Sequence, residues 1–144
     1  MENYIFSMEK VLDYREDIEK LKAEEFAKIK LEISGIEKEI AKLNIELKET
    51  NEKIFEVQNA YELIQVQLYR EALEEKLEIQ KLLLSEKKKA LEDKRAELTK
   101  AQSDRKIMEK LKEKDYSQFM YKKNMKEQKK LDDISVMKFK HAKN

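Results

Sequence analysis

The sequence predicts an all-α protein, in which two long helices form an antiparallel coiled-coil hairpin and the second overhangs the first. Three observations carry this expectation. The 144 residues include no proline and a single glycine, Gly35. Asp, Glu, Lys and Arg supply 44% of the chain, against about a quarter in an ordinary soluble domain. Apolar residues recur alternately three and four positions apart along most of the length. A chain without breakers has few places to turn. So few apolar residues fill a narrow seam between helices, not a broad core.

Helix one is expected over about 6–57. Its seam begins with Val11, Tyr14, Ile18 and Leu21. After a five-residue step it continues through Phe26, Ile29, Ile33, Ile36, Ile40, Leu43, Leu47, Thr50, Ile54 and Val57. The same run carries on through Tyr61, Ile64 and Leu68. Such a step locally changes the winding of a supercoil. Thr50 is the one member of the long run that is neither aliphatic nor aromatic.

The tip is expected at about 58–62 and helix two at about 63–138, within one coiled-coil domain over 1–144. Asn59-Ala60-Tyr61-Glu62 reads as an N-cap with an acid three places on. Leu77, Leu84, Leu91 and Leu98 repeat every seven residues, and the alternate positions read Leu73, Gln80, Lys87, Lys94, Ala101 and Met108. Lysine stems cover apolar surface while the ammonium stays in water, and polar seam residues fix register at some cost in stability.

One unbroken helix would be about 215 Å long and would need a second chain beside it. A fold near residue 60 gives every seam position an internal partner. Leu47 meets Leu73, Leu43 meets Leu77, Ile36 meets Leu84 and Ile29 meets Leu91. Beyond the skip, Leu21 meets Leu98, Ile18 meets Ala101 and Val11 meets Met108. A fold near 63 or 64 satisfies the pattern almost as well. In the first register, helix one runs out near residue 113, and roughly Asp115 onward overhangs. Tyr116, Phe119, Met120, Tyr121, Met125, Leu131, Ile134, Val136, Met137 and Phe139 lie there, a composition that suits contact with another protein.

Catalytic and ligand signals are absent from the pattern. His141 is the lone histidine and reads as a solvated residue. Asp132 and Asp133 diverge by about 100° on a helix, which does not make a metal pair. Lys87-Lys88-Lys89 is followed at once by Glu92 and Asp93 and reads as a solvated face. No Walker loop, dinucleotide-binding glycine pattern, zinc spacing or nucleophile elbow occurs. The expectation is a non-enzyme with no cofactor and no metal. The net charge of +1 gives no argument for nucleic acid as a partner. The lack of cysteine fits a reducing compartment. The opening residues lack the basic-then-apolar order of a signal peptide, so a cytosolic location is expected.

The two ends carry a family resemblance. Phe6-Ser7-Met8-Glu9-Lys10-Val11-Leu12-Asp13-Tyr14-Arg15-Glu16 resembles the opening of the FliJ family of bacterial flagellar export proteins. Lys110-Leu111-Lys112-Glu113-Lys114 and Glu127-Gln128-Lys129-Lys130-Leu131-Asp132-Asp133 resemble its closing segment, with Asp133 where Glu is expected. The resemblance implies an antiparallel two-helix coiled coil similar to the central-stalk γ subunit of rotary ATPases. It implies binding to the hexameric flagellar export ATPase, with the end that carries both termini entering the ring. It further implies contact with the export gate, escort of export chaperones, and a place at the cytoplasmic face of the inner membrane, in peripheral association with a membrane-embedded complex. The overhang then supplies the ATPase contacts. Phe119 and Leu131 are the expected anchors, Met120 and Ile134 stand beside them, and Gln128 and Asp132 lie at the rim. The family's gate-docking surface falls on Tyr69, Leu73, Lys76 and Gln80. A homodimeric structural or tethering coiled coil is the alternative.

Overall fold

Charged, breaker-poor segments propagate as helix until a local signal stops them, and here the stop lies between residues 53 and 60. The computed structural model describes residues 3–143. Two α-helices dominate, α1 (Glu9–Lys53) and α2 (Ala60–Lys143), joined through a 3-10 turn at Ile54–Glu56. No β-strand occurs among the described residues. The protein is an all-α helical hairpin, as its periodicity predicts.

Asn59 fixes where α2 begins. Its side-chain oxygen accepts a hydrogen bond from the Glu62 amide at 2.8 Å, while the Glu62 carboxylate accepts one from the Gln58 amide at 3.1 Å. Both satisfy amides that a helix start leaves without intrahelical partners. Val57 is extended, with φ −69° and ψ 133°, so the chain leaves the 3-10 turn directly. The cap selects the fold near residue 60 over the one near 63 or 64.

The chain forms two compact units. The first, Lys20–Lys100, contains the turn. Its deepest packing joins Leu43, Leu73 and Leu77, flanked by Ile40 and Leu47. These are the partners the register demands. Thr50 is buried in the same seam, and its hydroxyl donates to the Glu46 carbonyl at 2.7 Å, which removes the cost of an unpaired polar group. The lysines of the seam reach across it. Lys87 Nζ lies 2.9 Å from Glu32 and Lys94 Nζ 3.1 Å from Glu25, both across the seam, while Lys94 also pairs at 3.1 Å with Glu97 on its own helix. Hydrogen bonding to these lysines holds the carboxyls of Glu25, Glu32 and Glu97 below the usual carboxylate range.

The second unit contains the described residues up to Glu19 and those from Ala101 on. Its core is Phe6, Leu12 and Met108, with Tyr4 and Val11 against it. Arg15 donates to the Asp104 carbonyl at 2.9 Å, and Arg105 pairs with Glu19. Lys112 Nζ closes on Glu9 at 2.9 Å.

Five seam assignments are corrected by the structure. Leu12, not Tyr14, is buried near the start of α1, and Tyr14 is 65% exposed. Leu21 is also largely exposed. After the turn, Tyr61, Ile64 and Leu68 face outward, and the partly buried positions are Leu63 and Val66. The three-four rhythm runs through the turn in the sequence. The non-helical residues 57–59 reset the helical phase, so a different face of α2 meets α1.

Candidate docking surfaces

The six residues expected to hold the ATPase lie on α2 within the second unit. They divide into two groups. Phe119 and Met120 are half-buried, whereas Gln128, Leu131, Asp132 and Ile134 are exposed. Gln128 donates to Asp132 at 3.3 Å along the helix surface.

What half-buries Phe119 is the segment before α1. The Tyr4 ring packs against Tyr116 at 5.0 Å, edge to face, and against Phe119 at 5.3 Å. Its hydroxyl donates to Asp115 Oδ2 at 3.0 Å and approaches the Lys112 carbonyl at 3.4 Å. Burial, then the hydrogen bond and charge of Asp115, push the Tyr4 phenol up to about 12. Pairing therefore extends to Phe119, and the overhang begins near Met120 and not near Asp115. Extended chain advances about 3.3 Å per residue against 1.5 Å in a helix. A few residues before α1 therefore cover several turns of α2. Tyr4-Ile5-Phe6 does alternate: Tyr4 and Phe6 turn inward while Ile5 is 82% exposed. That period of two in burial marks an extended strap; the sequence carries no signal for it, since all three side chains are apolar or aromatic.

The four gate residues share one flank of α2 in the first unit, at spacings of four, three and four. They differ in access. Leu73 is 2% exposed within the Leu43–Leu77 core, Gln80 is half-buried, and Tyr69 and Lys76 are exposed. Two residues of the quartet thus offer open surface, and Leu73 holds the helix that presents them. Sequence reasoning placed Tyr61, Ile64 and Leu68 in the seam and missed Ile79 and Leu82; all five face solvent, as a second apolar stripe of α2 roughly opposite the seam.

Among the described residues no group of three or more His, Cys, Asp or Glu is placed to hold a metal ion, and no helix is long and apolar enough to cross a membrane. The fold and its surfaces define the class: an all-α helical hairpin with large apolar side chains exposed on its helix faces. The chain matches the family model described as flagellar FliJ protein over residues 4–144, and it belongs to the FliJ family. It is accordingly a protein related to flagellar export. No curated protein and no solved structure gives a significant match.

Proposed function

We propose that this chain is a non-catalytic component of the flagellar type III export apparatus. It sits in the cytoplasm at the inner face of the membrane, binds the export ATPase hexamer in the manner of a central stalk, and links that ring to the export gate. Escort of export chaperones belongs to the same role. The observation that carries this reading is the family match along 4–144, taken with an α2 that continues as exposed helix past its last partner, Tyr4.

The ATPase contact is assigned to Leu131 and Ile134 as anchors, with Gln128 and Asp132 at the rim. Phe119 and Met120 form its border with the Tyr4 strap. Gate contact is assigned to Tyr69, Lys76 and Gln80 over the support of Leu73. Exposed apolar side chains on a helix gain free energy when a partner groove removes them from water. Leu131→Ala with Ile134→Ala should weaken ATPase binding tenfold or more, in keeping with losses above about 2 kcal/mol at interface anchors. Helicity should hold, since neither residue packs in the seam. The wild-type chain should raise ATPase turnover while increasing the share of assembled ring. Turnover and oligomer size that stay flat through a full titration would overturn the coupling role.

The second reading, a homodimeric tethering coiled coil, draws on the exposed stripe of Tyr61, Ile64, Leu68, Ile79 and Leu82. Light scattering on the eluting protein separates the two. A monomer supports the stalk, and an obligate dimer supports the tether.

A further inference from the structure

Charge is balanced over the chain but not along it. From Met120 to the end there are eight lysines against three acids, a formal +5 where the whole chain is +1. This segment is also where α2 lies beyond its partner, and its apolar side chains are open: Tyr121, Met125, Leu131, Ile134 and Val136 are each between 49% and 67% exposed.

The two properties are sorted onto different sides. At about 100° per residue, Ile134, Met120, Leu131, Tyr121, Met125 and Val136 spread over a sector about 200° wide. Lys122, Lys123, Lys129, Lys130 and Lys140 fall in the complementary sector, about 120° wide. Lys123 borders the apolar side next to Ile134, and Lys129 borders it next to Val136. Glu127, Asp132 and Lys138 interrupt the apolar sector, and the uncharged Asn124, Ser135 and Gln128 lie in its middle; Asp133 and Met137 interrupt the basic one.

We infer that the α2 segment from Met120 onward is a surface for anionic lipid bilayers, lying in the membrane plane with its apolar sector in the headgroup–acyl boundary. Basic amphipathic helices bind there by burying apolar area while lysines attract acidic headgroups. Lysines at both edges of the sector suit this, because their stems lie along the acyl boundary and their ammonium groups reach the phosphates. A nucleic-acid backbone would take the lysines but leave Leu131, Ile134 and Val136 in water. The segment lies on the membrane and does not span it, consistent with its many charges. This binding uses Leu131 and Ile134, the side chains also assigned to the ATPase contact, so the two occupants alternate on one face; unlike that contact, it needs no other protein.

The test is flotation of the full chain, without other proteins, on vesicles of phosphatidylcholine and on vesicles with roughly 30% phosphatidylglycerol. The protein should float with the anionic vesicles and not with the neutral ones, and raising salt from about 50 to about 500 mM should weaken the binding. Lys122→Gln, Lys129→Gln and Lys130→Gln together should lower partitioning on the order of 100-fold. Leu131→Ser with Ile134→Ser should reduce it independently, with circular dichroism confirming that the paired helices persist. Failure of the folded wild-type chain to float with anionic vesicles would overturn the proposal. Equal binding to neutral vesicles would do the same, as would tight binding to a DNA duplex with no effect of the Leu131 and Ile134 changes on flotation.

Discussion

Gly35 shows how far single residues depart from what a helix wants. It sits in the interior of α1 with open space around the position where a Cβ would stand. Neither a turn nor a close approach requires it. Gly35→Ala should therefore stabilise the fold by about 0.5–1 kcal/mol, through helix propensity and a less flexible unfolded chain; urea unfolding would show a higher midpoint at constant slope. Tyr4 is the opposite case, a residue held by everything around it. Its phenol, pushed to about 12, keeps its proton more tightly in the folded chain than at the ordinary value of 10.0. The stabilisation it gives is complete below 10.0 and fades as pH rises through about 12. Tyr4→Phe keeps the ring contacts and removes the hydrogen bond to Asp115, so the component of tyrosinate absorbance that appears near pH 12 should vanish in that variant.

The elements are defined by their ends more than by their middles. Thirty residues on either side of the turn have similar charge and similar spacing, and nothing in that pattern selects a starting point for α2. The reciprocal bonds of Asn59 and Glu62 select it. Asn59→Ala should cost about 1 kcal/mol and speed amide exchange in the first turn of α2 without disturbing the Leu43–Leu73–Leu77 core. The strap at Tyr4–Phe6 defines the other end of the pairing. Because it is extended, it covers the Tyr116–Phe119 turn of α2, which no further turn of α1 reaches.

For the molecule as a whole, cross-helix charge pairs accompany a narrow core. Glu25, Glu32 and Glu97 are held below their ordinary value of 4.5 by hydrogen bonds to Lys94 and Lys87. Depressed carboxylates stabilise the fold above 4.5, and that contribution is lost as pH falls through their lower folded values. Lys94 and Lys112, raised above 10.5 by their acidic partners, lose theirs only at high pH. The melting temperature should therefore be flat across neutral pH and fall once the solution is more acidic than about pH 4.5. Added salt should shrink the difference, since the pairs are solvent-exposed. A melting temperature unchanged from pH 7 to pH 3 would show that the pairs contribute nothing measurable.

Fold class was legible in the sequence, and the pairing register down to two alternatives, because both depend on local rules: no breakers, a three-four rhythm, and apolar positions that must each find a partner. Leu43 against Leu77 and Val11 against Met108 belong to one of the two registers that counting allows, and the Asn59–Glu62 cap picks it. Three features were decided only by tertiary structure. The outward turn of Tyr61, Ile64 and Leu68 depends on how residues 57–59 rotate the second helix, and periodicity carries no information about that angle. Burial of Leu12 in place of Tyr14 depends on how α1 is rotated against Met108. The position of Tyr4 over Phe119 joins residues more than a hundred apart in the chain. A heptad count cannot place it, because the strap is not helical and advances along its partner at twice the helical rate.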